Sequence, residues 1–571
     1  MASRPQTKAI GAGTGPYKSM PGVSGVERLF TALKYLNEVG AALSSERDIN
    51  KLLETILIAA KSITHADGGT LYRLIEGKLK FEIVLNDSLN IALGGTTGEE
   101  ITFYPIPLHQ PDGSENNSMV AAYAALHDET VNIADAYTAE GFDFSGTRNF
   151  DKKTGYRSTS FLTIPMKNHE SEIIGVLQLL NAQDETGKVV PFTVEDQRLA
   201  ESLASQAAIA LTNRMLITQL EMLFESLIEL INTAIDEKSP YTGGHCERVP
   251  TLTMLLADAA ANTQTGPLAD FKMTEKDRYE LKIAGLLHDC GKITTPVHVV
   301  DKATKLETIF DRVHFVSQRF EILKRDAEIA MLKARLGALE TGDEEFGKRA
   351  LQDFAVKTQQ LNDDAEFIKR MNIGGERMNP DDQARVNRIA AYEYQGHKGD
   401  QGEEGKSIPF LTQDECDNLN IPYGTLMPAE RKIINHHIEA TINMLEALPW
   451  PRHLKNVPEY AGGHHERMDG KGYPRGLTRD QMSVQARIMG IADIFEALTA
   501  KDRPYKKGKT LSESLNILGN FKLNGHIDPD LFDVFVREKV YMKYARQFLD
   551  AEQIDEVDEK AIPGYQIMVH G

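Results

Sequence analysis

The chain holds one tryptophan and three cysteines in 571 residues. Cys246, Cys290 and Cys416 lie too far apart for a disulfide framework or a thiolate zinc site. A reducing compartment, the cytoplasm, is therefore expected. Basic residues are also scarce: 64 Lys and Arg against 83 Asp and Glu leave a net charge of −19. General nucleic-acid or anionic-membrane binders carry a basic footprint, so neither partner is expected. An anionic substrate would need a local basic pocket. No apolar run reaches the roughly 18 residues of a membrane span. Residues 1–25 are rich in Gly, Pro, Ser and Thr and lack the apolar stretch of a signal peptide, so they read as a disordered tail.

What remains is an ordinary globular composition, 41% hydrophobic and 26% charged, with length for several domains. In 26–59 apolar residues recur at helical spacing: Leu29, Leu33, Leu36, then Leu52, Leu53, Ile56, Leu57. Segments 69–75 and 79–84 flank Glu76-Gly77 and predict a β-hairpin. Segments 160–166 and 173–181 predict a second pair of strands. Helix, strands, helix, strands and a long helix make an α+β sensor module over 26–212. Residues 195–236 contain no Gly or Pro. Leu199, Leu203, Ile209, Leu216, Leu220, Leu223, Leu227, Leu230 and Ile231 predict one connecting helix over 196–236, of the kind that pairs with its twin in a homodimer. Farther on, Ile309, Val313, Val316, Phe320, Leu323, Ala327, Ala330 and Ala334 form one helical seam. Leu351, Phe354, Thr358, Leu361, Ala365 and Ile368 form another beyond Gly342. They predict an antiparallel helical hairpin inside an insertion, 306–426, with a polar loop at 396–405. The end, 551–571, reads as an acidic tail.

Of 16 histidines, 11 fall between His245 and His526. His288-Asp289 follows an apolar helical pattern. His245, His436-His437, His464-His465 and Asp493 surround it in sequence. Adjacent His and Asp can give one metal a nitrogen and two metals a bridging carboxylate. Imidazole plus carboxylate without thiolate favours Fe, Mn, Ni, Co or Zn. Two such ions about 3.5–4 Å apart suit in-line displacement at phosphorus. Lys292 lies one turn beyond Asp289, on the same side, where an ammonium can stabilise developing charge. Gly470, Gly472 and Pro474 make a tight loop that lets backbone approach a phosphate.

Two resemblances follow. Residues 47–212 resemble a GAF domain, through Ile173-Ile174-Gly175-Val176-Leu177-Gln178-Leu179-Leu180-Asn181, Phe192-Thr193-Val194-Glu195-Asp196 and the helix after Leu199. That family places a small ligand over a six-stranded antiparallel sheet. Its cyclic-nucleotide binders carry Asn-Lys-Phe-Asp-Glu, whereas Ala182 follows Asn181 here. Residues 230–320 and 426–550 resemble the HD-GYP subgroup of HD-domain phosphohydrolases. The matching motifs are His288-Asp289-Cys290-Gly291-Lys292, His464-His465-Glu466-Arg467-Met468-Asp469-Gly470-Lys471-Gly472-Tyr473-Pro474, and Ala492-Asp493-Ile494-Phe495-Glu496 with Asp502-Arg503-Pro504-Tyr505.

The implied fold is an α+β GAF domain joined by a long helix to an all-α HD-GYP domain (230–550) with a helical-hairpin insertion. The implied activity is hydrolysis of cyclic di-GMP to pGpG, or onward to GMP, by two divalent ions, Fe or Mn. The implied ligands are His288, bridging Asp289, His464, His465, Asp493 and one later His. His437 matches the family's helix, and His314 is the rival. Asp289 and Lys292 would serve catalysis. Three-metal members carry Glu four residues before the first His, where Tyr241 stands here. His245 is then left for substrate or for supporting a ligand, with a third ion through it as the other reading. Arg467, Lys471, Gly472, Tyr473, Pro474 and Arg503 would meet substrate, Tyr473 by stacking on guanine or by meeting a partner protein. Implied partners are cyclic di-GMP, a diguanylate cyclase and an unidentified small ligand at the GAF domain. The alternatives are a phosphodiesterase for cyclic GMP-AMP and a non-catalytic receptor for cyclic di-GMP or a cyclase.

Overall fold

The computed structural model describes residues 25–46, 48–238, 244–374, 377–395, 407–501 and 508–566. The segment 1–24, Tyr241, the loop 396–405 and Arg503 lie outside them. The chain divides into two units, Met1–Phe224 and Glu225–Gly571.

In the first unit, α1 (Gly25–Ser45) precedes α2 (Ile49–Thr64). The Asp48 carboxylate starts α2 by accepting from the Asn50 and Lys51 amides. Eight strands follow in one antiparallel sheet: β1 (Ala66–Ile75), β2 (Lys78–Asn86), β3 (Ile91–Gly94), β4 (Ile106–Pro107), β5 (Val131–Ile133), β6 (Phe161–Lys167), β7 (Ile173–Gln183) and β8 (Val189–Val190). The path is β3-β2-β1-β7-β6-β5, with β4 on β2 and β8 on β7. Glu76 and Gly77 both adopt positive φ, 48° and 73°, which turns the predicted hairpin tightly. Side chains alternate between the two sheet faces. One face, with Leu71, Ile83, Leu162, Ile164, Leu177 and Leu179, packs on α2 and on Ala200, Leu203 and Ala207 of α5 (Val194–Lys238). The other, with Tyr72, Leu79 and Val176, meets Ala121, Ala122 and Ala125 of α3 (Val120–His127). A short α4 (Ser145–Thr154) precedes β6. Buried Asn181 accepts from the Thr159 and Ser160 amides and donates to the Tyr156 hydroxyl and Arg157 carbonyl. It ties β7 to the chain entering β6.

The second unit is mainly helical. Its first half runs α6 (His245–Ala261), α7 (Glu275–Leu287), a 3-10 turn (Cys290–Thr294), α8 (Val297–Val300), α9 (Val313–Thr341), α10 (Glu344–Asn372), α11 (Pro380–Ala390) and α12 (Gln413–Leu419). Then come α13 (Pro428–Glu446), α14 (Val457–Gly462), α15 (Val484–Thr499), α16 (Leu511–Leu523), α17 (Pro529–Arg537) and α18 (Val540–Phe548). The helical domain is as expected; within the 306–426 insertion a short ribbon is added, β9 (Glu393–Gln395) pairing antiparallel with β10 (Ser407–Pro409). The hairpin of α9 and α10 turns at Gly342, φ 76°, and at Asp343, which caps α10 by accepting from the Phe346 amide. Its base has a core of its own, including Val316, Phe320, Leu361, Phe367, Val386 and Phe410. Ile309 does not join the seam: it precedes α9 and is 94% exposed.

Two buried lysines fasten the insertion's root to the rest of the unit. The Lys305 ammonium donates to the Leu419 and Ile421 carbonyls at 2.9 and 2.7 Å. Lys302 pairs with Glu430 in the first turn of α13 at 2.8 Å. The acidic end is not a tail as far as it is described. It forms 3-10 turns at Ala551–Gln553 and Glu559–Ala561, and Gln553 donates to the Thr499 and Lys509 carbonyls while Ile562 is buried. Its acidic composition masked these anchors. Among the described residues, no helix is long and apolar enough to cross a membrane.

Candidate metal centre

Helix α7 starts with a capping box, Thr274 with Asp277, and buries Leu281, Ile283, Ala284 and Leu287. This fixes its last turn, so that His288 and Asp289 emerge into the interior. The 3-10 turn that follows lies directly on α13. A Cβ on Gly291 would sit 2.6 Å from the Thr441 nitrogen and closer still to the His437 carbonyl oxygen. The Gly291 amide donates to Thr441 Oγ1 at 2.9 Å. Only glycine permits that approach, and it brings His437 Nε2 within 3.3 Å of Asp289 Oδ1.

The other ligand candidates arrive from three further elements. His245 opens α6, with Nε2 3.0 Å from Asp289 Oδ2 and 3.5 Å from Asp493 Oδ1. His464 and His465 follow α14, their ring centroids 4.2 Å apart. Asp493 comes from α15, which Ser483 caps. Donor atoms lie within 4.8 Å of one another in three sets: His245, His288 and Asp493; His288, Asp289 and His464; His437, His464 and His465. Asp289 faces both ends of this constellation. Its Oδ2 lies 3.3 Å from His288 Nε2, on the His245 side, and its Oδ1 points to His437.

The imidazole tautomers follow from their partners. His288 Nδ1 is 2.7 Å from the Gly285 carbonyl, and His464 Nδ1 is 2.6 Å from that of Ala461. His437 Nδ1 meets the Ile434 carbonyl. A carbonyl only accepts, so each Nδ1 carries a proton and each Nε2 is the nitrogen turned inward, the one available to ligate. Among the described residues, buried Asp289 Oδ1, His437 Nε2 and His464 Nε2 have no hydrogen-bond partner. Each such atom costs about 1–3 kcal/mol, and cations held by these clusters would satisfy them. The residues present therefore fit metal binding.

Charge follows the same pattern. Burial pushes His464 down, aided by His465 and His288. It pushes His465 down to about 4, with both carboxylates opposing. Both rings are then neutral and able to ligate at neutral pH. Burial alone would raise Asp289, but Lys292 and the His288 and His245 rings hold it well below the usual carboxylate range. Asp493 is lowered likewise, its burial outweighed by the surrounding imidazoles. His245 goes the other way. Burial opposes its charge, but Glu496 and Asp289 raise it to about 9, so an ion there competes with a proton.

His245 thus lies among the candidate ligands, the supporting or ion-holding place that stood as the alternative to substrate binding. Glu496, which the sequence reading missed, holds it: Nδ1 to Glu496 Oε2 is 2.7 Å, and Arg248 holds the other carboxylate oxygen at 2.7 Å. The available signal was spacing, since Glu496 stands three residues beyond Asp493 on α15 and shares its face. Glu496→Gln keeps the shape but removes the charge that orients His245. Metal affinity is expected to fall about 10–100-fold in a metal titration, with melting lowered by a few degrees as the buried ion pair with Arg248 is lost; equal affinity would deny Glu496 this role.

Lys292 Nζ lies 2.5 Å from Asp289 Oδ2. Tyr473 stacks on His465, centroids 4.8 Å apart and planes 24° apart, with half-buried Pro474 beside it. A Cβ on Gly472 would come within 2.5 Å of Glu466 Cα, so this loop also needs glycine. Arg467 is engaged by Asp469 at 2.9 Å, and Lys471 is exposed. His314 is exposed on α9 and belongs to none of the three sets, which sets it aside in favour of His437.

Comparison with known proteins agrees at the level of domains. Models described as HD domain match residues 242–371 and 414–531, and one described as GAF domain matches 48–211. The chain is 48% identical over 81 residues to the 3'3'-cGAMP-specific phosphodiesterase 1 of Vibrio cholerae, covering 14% of this chain and 19% of that protein. It is 46% identical over 119 residues to a cyclic di-GMP phosphodiesterase of Pseudomonas aeruginosa, covering 21% and 27%. A cyclic di-GMP phosphodiesterase of Thermotoga maritima is 26% identical over 254 residues, covering 42% and 64%. The matches thus span less than two thirds of each relative's length. The GAF domain from an Acinetobacter phosphoenolpyruvate-protein phosphotransferase aligns with 33% of this chain and 98% of its own, at 15% identity and a TM-score of 0.25. The chain carries a GAF domain followed by an HD domain.

Proposed function

We propose that the protein is a cytoplasmic, metal-dependent phosphodiesterase that hydrolyses cyclic di-GMP to pGpG, or onward to GMP, under control of its GAF domain. The observation that carries this reading is the convergence on Asp289 of histidines from four separate segments, with three buried donor atoms left unpaired. His245, His288, Asp289 and Asp493 would hold one ion, and Asp289, His437, His464 and His465 the other. Such ions, iron or manganese, supply Lewis acidity toward a phosphodiester. Lys292 keeps Asp289 ionised and brings a cation to the charge that develops on a leaving oxygen. Tyr473, seated on His465, offers an aromatic ring beside the ions for a guanine base.

Control requires a route from the GAF domain, and α5 offers one. It exposes Ile209, Leu216, Leu220, Leu223, Leu227 and Leu230, at the spacing of a coiled-coil seam, which supports pairing with its twin in a homodimer. At its end, the Lys238 ammonium donates to the Lys292 carbonyl at 3.2 Å and to that of Ile293. A shift of α5 along its seam would therefore pull on the turn that carries Lys292. A small GAF ligand or a diguanylate cyclase would act through this helix.

A second substrate has a specific observation behind it: the 48% identical relative is named for 3'3'-cGAMP. Guanine and adenine differ in their hydrogen-bonding edges, so competition separates the two. Full-length protein loaded with Fe or Mn should linearise cyclic di-GMP, read by product chromatography. Preference for cyclic GMP-AMP would favour the second substrate. Folded, metal-replete protein that cleaves neither would reject the phosphodiesterase reading.

A further inference from the structure

The hairpin insertion uses the two sides of α9 differently. Val316, Phe320 and Ala338 are buried on one side, and Leu323 packs beside them at the base. The opposite side exposes Ile322, Ile329, Leu332, Leu336 and Leu339, at 41, 49, 52, 60 and 79%. These positions follow a heptad, with Arg325 in the remaining core place. An apolar stripe of this regularity on a soluble surface marks an interface with another helix.

We propose that this seam pairs antiparallel with the same seam on a second copy of this chain. The flanking charges select that occupant and that orientation. Asp326 and Glu328 flank the N-terminal half of the stripe, and Lys333 and Arg335 flank the C-terminal half. None of the four makes an ion pair with another described residue. A twofold axis between residues 330 and 331 sets Ile322 against Leu339 of the second copy, Ile329 against Leu332, and Arg325 against Leu336. It also sets Glu328 beside Arg335 and Asp326 beside Lys333, each twice by symmetry. A parallel pair would keep Glu328 beside Lys333 and Arg335 beside Glu340, but would set Glu321 against Asp326 and Arg325 against its own copy in the core, so the antiparallel pair is the one without like-charge contacts. Exposed ion pairs add little affinity, so the apolar stripe holds the copies while the charges choose their direction. The contact is independent of the reading of the metal centre and uses a different helix from the α5 seam.

Cysteine pairing tests it in the full chain. Ile329→Cys and Leu332→Cys proteins, co-expressed and then oxidised, should form a disulfide-linked mixed dimer. Either variant alone should link at least about tenfold less, because each then faces an apolar residue of the second copy. Adding Glu328→Arg to both should cut the mixed yield about tenfold by placing Arg beside Arg335. Adding Arg335→Glu as well should restore it, a rescue that a parallel pair or a different partner would not give. All four positions are exposed, and melting curves confirm the fold. Each variant linking with itself, no linkage in the mixture, or no rescue would each overturn the proposal.

Discussion

Asp289→Asn is expected to abolish cyclic di-GMP hydrolysis, by more than about a thousandfold, while the protein still unfolds cooperatively. Among the described residues, Asp289 is the one carboxylate that reaches toward His245 and His288 with one oxygen and His437 with the other. An asparagine fills the same space but has one acceptor oxygen and no charge. One of the two ends then meets an amide N–H, which cannot ligate. Lys292 also loses its partner at 2.5 Å. Leaving that half-buried ammonium unpaired costs about 1–3 kcal/mol, a melting decrease of a few degrees. Activity, metal content and melting, measured on one preparation, separate the site's loss from the fold's. Hydrolysis near the wild-type rate would show that the chemistry lies elsewhere.

Gly291→Ala is expected to damage both the fold and half of the centre. The added Cβ would lie 2.6 Å from the Thr441 nitrogen and nearer to the His437 carbonyl. Backbone on both sides cannot swing aside as a side-chain tip would, so the turn and α13 must part. That breaks the Gly291 to Thr441 bond and draws His437 away from Asp289. Overpacking of this kind costs about 1–3 kcal/mol or more, and the lost buried hydrogen bond about 1 kcal/mol further. Metal stoichiometry should fall toward one, since His245, His288 and Asp493 do not depend on the α13 contact. Gly337→Ala on α9 is the control: nothing lies within 4 Å of its Cβ, and helix propensity favours alanine. Equal melting of the two variants would contradict the packing argument.

These two sites mark what sequence could and could not reveal. The first unit was legible because strand alternation and the Glu76-Gly77 turn are local signals, and the register of β6 on β7 pairs Phe161 with Leu180 and Ile164 with Leu177. The ligands were legible where they sit in adjacent pairs, His288-Asp289 and His464-His465. The choice between His437 and His314 was open, because both sit in helical patterns with apolar neighbours. What decides it is the approach of Gly291 to α13, a contact across about 150 residues of chain. The choice among the readings of His245 was open too, because its support comes from Glu496, on a helix some 250 residues away. Lys302 and Lys305 gave no sign of burial, since a lysine reads as surface until its carbonyl and carboxylate partners are in place. The β9–β10 ribbon is too short to leave a periodic signal.

Anomalous X-ray scattering from crystals of manganese-loaded protein tests the central claim most directly. Two peaks are predicted, about 3.5–4 Å apart. One should lie among His245, His288, Asp289 and Asp493, and the other among Asp289, His437, His464 and His465. A single peak, or ions bound away from Asp289, would contradict the two-ion centre on which the proposed hydrolysis depends.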